Sequence, residues 1–330
     1  MVQLVGKEVG NIGYGLMGLT WRKNPPSQDQ SLKALKAALT HGCRFWNGGE
    51  LYGTAERNSL HLLNEYFTKY PEDAEKVVLS IKGGLVPGTF RVDGSKEGVR
   101  RSIDECLSVL DGKKTLDLFE CARVDKNVPI EETIEAIAEY VKAGKLGGIS
   151  LSEVSAKSIR RAAKVHKIAA VEVELSLWST EILENGVAQV CAELDIPIIA
   201  YSPLGRGFLT GQIKSYDDIP DDSESKHWPR FQPDVFDNNL KLVKEVEELA
   251  SKKGCTPAQI AIGWILSISG KNGLPKILPI PGATTEERIA ENTKPVSLNE
   301  EDLATIDKIL ESFTVQGDRY PPHAMALVDE

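Results

Sequence analysis

The sequence predicts an α/β fold: a single closed (β/α)8 TIM barrel spanning residues 1–330 as one domain, with the active site on the loops of its C-terminal face. Three observations lead there. Eight short apolar segments alternate with stretches of helical periodicity, the pattern of parallel βαβ units. No Pro/Ser-rich linker or low-complexity seam divides the chain. The length of 330 residues suits one barrel with long loops better than two sheets, a doubly wound sheet being the alternative.

Gly13, Gly15 and Gly18 match the dinucleotide fingerprint G-x-G-x-x-G, but Pro25 and Pro26 follow too soon for a helix that could hold a pyrophosphate. A strand followed by a glycine-rich loop is expected instead. Ser27 and Gln30 form a capping box, and Leu32, Leu35 and Leu39 recur at helical spacing until Gly42. A strand over 44–47 ends at Gly48 and Gly49, and a helix resumes near Asn58 with Leu60, Leu63 and Tyr66. Residues 77–81 read as a strand, with Lys82 at its C-terminal end before Gly83 and Gly84. Val99, Ile103, Cys106 and Leu110 set a helix over 95–110, and a strand follows over 116–121. The next helix starts at Pro129, carries Ile134, Ile137 and Val141, and closes at Gly144. The alternation continues as strand 147–151, helix 156–165, strand 169–175, helix 180–194 and strand 196–201. After a long acidic loop over 210–237 come helices over 240–252 and 256–268 and a strand over 276–280. A short helix from Thr285 and a last helix over 300–310 precede an irregular tail over 313–330.

A net charge of −9 with no basic stripe argues against nucleic acid as a partner. The N-terminus lacks the basic and apolar regions of a signal peptide, and no apolar run is long enough to cross a bilayer. The five cysteines (Cys43, Cys106, Cys121, Cys191, Cys255) are odd in number and far apart. That spacing fits reduced thiols in the cytoplasm better than disulfides or zinc, and the scattered histidines add no metal site. The oligomeric state is not legible.

Tyr52 lies just beyond the 44–47 strand and Lys82 at the end of the next, so both belong to the C-terminal face. A tyrosine alone in such a loop is more often packing than chemistry. Beside an ammonium it gains a use, because the cation stabilises the phenolate and lowers a pKa of about 10. Such a phenol can donate a proton to a carbonyl oxygen as hydride reaches the carbon. A lone Lys82 would read as a solvated lysine or, on a barrel, as a Schiff-base aldolase residue.

Tyr52-Gly53, Ser80-Ile-Lys82, the runs 13–18, 144–152 and 200–207, and Pro279 through Arg288 to Asn292 occur in order over nearly the whole chain. Together they resemble the aldo-keto reductase superfamily. Segments 46–53 and 119–125 are most similar to those of fungal pyridoxal reductases. The resemblance implies a single aldo-keto reductase barrel that uses NADPH to reduce a small-molecule aldehyde to an alcohol, with pyridoxal to pyridoxine as the reaction that the likeness to pyridoxal reductases implies. It implies Tyr52 as proton donor, Lys82 as the cation tuning it, and Tyr201 stacked on the nicotinamide. Ser152 would contact the carboxamide, with Glu153 and Glu172 where other members carry Asn and Gln. Ser202, Leu204, Gly205 and Gly207 would line the pyrophosphate path. Thr284, Thr285 and Arg288 would hold the 2′-phosphate, with Glu291 and Asn292 near the adenine. A helix start with an arginine one turn inside also suits phosphate on chemical grounds.

Two positions depart from the family pattern. Asn47 stands where the usual aspartate would pair with Lys82, and Ala122 where a histidine would assist the carbonyl. Asn47 is expected to hydrogen-bond the ammonium, with Glu50 as a source of the missing charge, and Ala122 to make room for a bulkier aldehyde. The same departures leave open an NADPH-binding regulatory module resembling potassium-channel β subunits. In the long loop, Trp228, Arg230 and Phe231 are candidate lid residues; Trp21, Arg319 and Tyr320 are candidates for the rim, and Trp46, Trp178 and Trp264 for the core.

Overall fold

A computed structural model of the chain describes residues 1–221 and 223–328. It begins with a hairpin, β1 (Val2–Leu4) and β2 (Lys7–Gly10), that the sequence reading did not anticipate. Then come β3 (Tyr14–Gly15), α1 (Met17–Thr20), α2 (Gln28–Thr40), β4 (Phe45–Gly49), α3 (Ser59–Lys69) and β5 (Val78–Gly83). The middle of the chain supplies α4 (Lys96–Leu110), β6 (Leu116–Cys121), α5 (Ile130–Lys142), β7 (Leu146–Ser152), α6 (Ala156–Val165) and β8 (Ile168–Glu174). It ends with α7 (Val187–Glu193), β9 (Ile198–Tyr201), α8 (Pro233–Lys253), α9 (Pro257–Ile268), β10 (Ile277–Pro279), α10 (Glu286–Asn292), α11 (Glu300–Ser312) and α12 (Pro322–Met325).

Strands β3 to β10 pair in sequence order and in parallel as one eight-stranded sheet. The seam closes where the Gly13 N–H donates to the Pro279 carbonyl at 2.9 Å and Gly15 bridges Gly282. This gives the glycines of the apparent fingerprint a different reason. A Cβ on Gly13 would lie 2.8 Å from the Ile280 side chain, and one on Gly15 would lie 2.9 Å from the Ile280 carbonyl oxygen. They are there because the first and last strands approach too closely for a side chain. The strand runs inside the glycine stretch, not ahead of it as expected.

The hairpin plugs the N-terminal end of the barrel. Val2, Leu4 and Val9 join Phe45, Val78, Leu118, Ala170, Ile199, Leu278 and Ile280 in one buried cluster. That leaves the opposite mouth for polar residues. Outside the sheet, the helices bury their apolar stripes in a second, larger core that includes Trp46, Trp178 and Trp264.

The helix expected over 180–194 is broken. Gly186 takes a φ of 93°, so only a 3-10 turn, Glu181–Leu183, precedes the seven residues of α7. The long loop is ordered by three 3-10 turns, and the tail gains the short α12. Among the described residues no helix is long and apolar enough to cross a membrane.

Candidate active site

Tyr52 follows β4 by a tight turn in which its N–H donates to the Gly49 carbonyl at 3.2 Å. A Cβ on Gly49 would come within 3.1 Å of the Tyr52 ring, so the glycine lets that ring lie flat over the backbone. Thr20 of α1 donates to the Tyr52 carbonyl at 2.6 Å, and Trp21 stacks on the ring with centroids 5.4 Å apart. Trp21 thus belongs to the rim, and Phe90, 67% exposed, stacks on its far side at 6.0 Å. The Tyr52 hydroxyl has no hydrogen-bond partner among the described residues, although the side chain is buried.

Lys82 stands beside Tyr52 because the β4–β5 register pairs Gly49 with Lys82. The next register pairs Lys82 with Glu120 of β6. The ammonium lies 3.3 Å from Glu120 Oε1 and is hydrogen-bonded to Glu172 of β8. Asn47 donates from Nδ2 to Glu172 at 2.6 Å and Glu120 at 3.4 Å, and Ser150 donates to Glu120 at 2.8 Å. The missing aspartate is therefore replaced from across the barrel. Asn47 orients the carboxylates and is not the partner of Lys82. Glu50, the other expected source of charge, is turned away to Ser102 at 2.8 Å and Arg101 at 3.4 Å.

Burial in the barrel amplifies these charges. Desolvation alone would push Lys82 down, but Glu120 and Glu172 outweigh it and hold the ammonium well above its usual range. Burial and the charge of Glu120 push Glu172 well above the carboxylate range, against the pull of Lys82. For Tyr52, burial comes first and raises the phenol; Lys82 and Arg123 pull it down, while Glu172 and Glu120 push it up. The net direction is upward, opposite to the effect expected from Lys82 alone. The phenol keeps its proton at neutral pH and has one to give.

Above this layer, the Tyr201 hydroxyl bonds Glu153 and the Tyr320 hydroxyl, both at 2.8 Å, and the Lys82 ammonium lies 5.5 Å from the Tyr201 ring centre. Arg319 donates to Glu153 at 2.9 Å and to Glu174 at 3.1 Å, and Arg206 donates to Tyr320 at 2.8 Å. The tail thus folds over the mouth of the barrel. Ser152 Oγ is buried with no partner among the described residues, an orphaned hydroxyl on the same rim. After β9, Ser202, Gly205, Arg206 and Gly207 all have φ between 49° and 95°. Two of these are not glycine, and such strain is characteristic of ligand loops. Leu204 lies in the same turn, where its carbonyl accepts from the Gly207 N–H at 3.0 Å.

The remaining cluster sits at the closing strand. Thr285 caps α10 by accepting from the Arg288 N–H at 3.4 Å, and Arg288 pairs with Glu291 at 3.3 Å. The Thr284 carbonyl accepts from Gln30, and Asn292 is buried. Arg288 keeps 40% of its side chain in solvent, free to meet another anion.

The long loop corrects one expectation. Phe231 is fully packed against Trp178 at 5.1 Å and Phe208 at 5.8 Å, and is not a lid residue. Arg230 is buried and donates to the Trp178 carbonyl and Ser179 Oγ, both at 2.7 Å, and to Gly317 and Glu181. Trp228 alone lies over the site, 4.1 Å from the Arg206 guanidinium and 5.1 Å from Tyr320. Arg230→Ala is expected to cost about 2–4 kcal/mol of stability by orphaning these acceptors. A thermal melt checks this; a parental Tm with altered aldehyde selectivity would return Arg230 to the lid.

Sequence reasoning missed Glu120, Arg123 and Arg206. The signal for Glu120 was present: a carboxylate inside a strand buried on both faces requires a partner or a function.

A family model described as the Aldo/keto reductase family matches residues 11–311. A Schizosaccharomyces pombe protein named "Probable pyridoxal reductase 2" is 42% identical over 322 residues, covering 96% of each chain. Another from that organism, named "Aldo-keto reductase yakc [NADP(+)]", is 35% identical over 331 residues, covering 96% of this chain and 95% of its own. Among solved structures, a glycerol dehydrogenase from Gluconobacter oxydans superposes with a TM-score of 0.82 at 22% identity, with 97% of each chain covered.

Proposed function

This chain belongs to the aldo/keto reductase family, is an NADP-dependent oxidoreductase, and we propose that it reduces pyridoxal to pyridoxine with Tyr52 as the proton donor. The observation that carries the site assignment is the carboxylate clamp on Lys82. With Glu120 and Glu172 at the ammonium, Lys82 stays charged and oriented although the aspartate is absent. This answers the part of the regulatory-module reading that rested on Asn47; the part that rested on Ala122 is decided by the turnover test below.

The residues present fit the cofactor. The orphaned Ser152 hydroxyl suits an amide group, the Tyr201 ring offers a stacking face, and the strained loop from Ser202 through Leu204, Gly205 and Gly207 suits a pyrophosphate. Thr284, Thr285 and Arg288 would hold the 2′-phosphate, with Glu291 and Asn292 beside the adenine. Both oxygens of Glu172 are occupied by Lys82 and Asn47, so its part is to fix the lysine, and it reaches the cofactor only through that. Bound NADPH would supply the hydride. Tyr52 then passes its proton to the aldehyde oxygen, and Lys82 stabilises the phenolate left behind. Ala122, buried at the rim next to Lys82 (its N–H donates to Gly83 at 2.9 Å), leaves space beside the carbonyl for a substituted pyridine ring. The enzyme is assigned to the cytoplasm with a small-molecule substrate and no nucleic-acid or membrane partner.

The test is NADPH consumption with pyridoxal beside a panel of other aldehydes, with pyridoxine as the expected product. Tight NADPH binding without turnover on any aldehyde would favour the regulatory module. Borohydride trapping of substrate on Lys82 without nicotinamide would favour the aldolase.

A further inference from the structure

The rim carries more positive charge than its own carboxylates neutralise. Three guanidinium groups (Arg123, Arg206, Arg319) meet two carboxylates, Glu153 and Glu174, and both carboxylates are taken by Arg319. Arg206 is occupied by the Tyr320 hydroxyl and the Trp228 face. Arg123 is the one left over. It is half-buried immediately beyond Ala122, and among the described residues it makes no ion pair. Its one hydrogen bond goes to the neighbouring Ala122 carbonyl at 2.6 Å, and its guanidinium lies 5.9 Å from the Tyr320 ring centre. The nearby Asp125 is not its partner, since that carboxylate accepts from the Gly94 and Asn127 amides. A guanidinium has five N–H donors in a planar fork, and within the protein Arg123 uses them only on the Ala122 carbonyl, so most of the fork is available to an anionic ligand at the mouth. The Tyr320 ring beside it carries the hydroxyl that bonds Tyr201 at 2.8 Å, which places the guanidinium on the rim of the same mouth, where its charge also acts on Tyr201 and, more weakly, on the Tyr52 phenol.

We propose that Arg123 forms an anion subsite that selects aldehydes carrying a negatively charged oxygen on the ring position next to the carbonyl. The fork would bind that oxygen and hold the carbonyl towards Tyr52, a positioning and specificity role made possible by Ala122. The inference rests on the reductase reading above and names the substrate class for that site; an ionised ring oxygen beside an aldehyde is what pyridoxal presents at neutral pH.

The experiment measures kcat/KM for two matched pairs, pyridoxal against pyridine-4-carbaldehyde and 2-carboxybenzaldehyde against benzaldehyde, in the parent enzyme, Arg123→Gln and Arg123→Lys. The anionic-over-neutral preference is expected to fall roughly ten- to a hundredfold in Arg123→Gln, mainly through KM, with part of it regained in Arg123→Lys. An unchanged preference in both pairs overturns the inference. So does a loss matched by an equal weakening of NADPH binding, which would assign Arg123 to the cofactor. If the parent reduces the benzaldehydes but not pyridoxal, the pyridoxal reading fails while the second pair still tests Arg123.

Discussion

Tyr52→Phe is expected to lower kcat for aldehyde reduction by about 10²- to 10⁴-fold while leaving NADPH affinity near that of the parent. The packing around the ring makes this a clean substitution. The ring is held by Gly49 beneath it and Trp21 above it, and neither contact uses the hydroxyl. That hydroxyl bonds nothing else among the described residues, so its removal orphans no buried group. The loss falls on the step in which a proton reaches the carbonyl oxygen, equivalent to about 3–5 kcal/mol of barrier. Single-turnover oxidation of bound NADPH in the presence of pyridoxal measures it. Turnover within a fewfold of the parent would remove Tyr52 from the chemistry.

The second large effect concerns the clamp. Replacing either Glu120 or Glu172 by Gln leaves one carboxylate for one ammonium in a pocket of nearly unchanged shape. Each single variant is expected to lose about tenfold, the scale of one charge-assisted hydrogen bond. The double variant strands Lys82, which is only 5% exposed. Burial then acts on it unopposed and lowers its pKa, since a buried amine without a counter-charge sheds its proton in preference to keeping an isolated charge. The neutral amine no longer stabilises the Tyr52 phenolate. The combined loss should exceed the product of the single losses by a coupling of about 1–3 kcal/mol.

Much of the fold was legible because barrel strands and their helices announce themselves by apolar runs and capped periodic stretches. Lys82 could be placed at a strand end from Val77 to Ile81 before Gly83, and the register did set it beside Tyr52's strand. What escaped depends on contacts between distant segments. Glu172 was read as a cofactor contact and Glu120 was passed over; they are 52 residues apart, and their meeting on Lys82 depends on the curl of the sheet. Glu50 looked the better partner for Lys82 because it is close in sequence, but its carboxylate turns outward to the α4 residues Arg101 and Ser102. Arg230 and Phe231 read as a lid because a polar loop conceals which of its side chains fold inward. Gly13 and Gly15 resembled a nucleotide motif, and their packing against Ile280 is visible only once the first strand meets the last.

Catalysis here depends on how Lys82 is kept charged without an aspartate. The most direct test is the dependence of kcat/KM on pH for the parent, Glu120→Gln, Glu172→Gln and the double variant. Because a lysine with a depressed pKa loses its charge as pH rises, the double variant should lose activity on an alkaline limb that is absent from the parent and both single variants. Its loss should exceed the product of theirs. Strictly multiplicative losses and four profiles of the same shape would contradict the clamp.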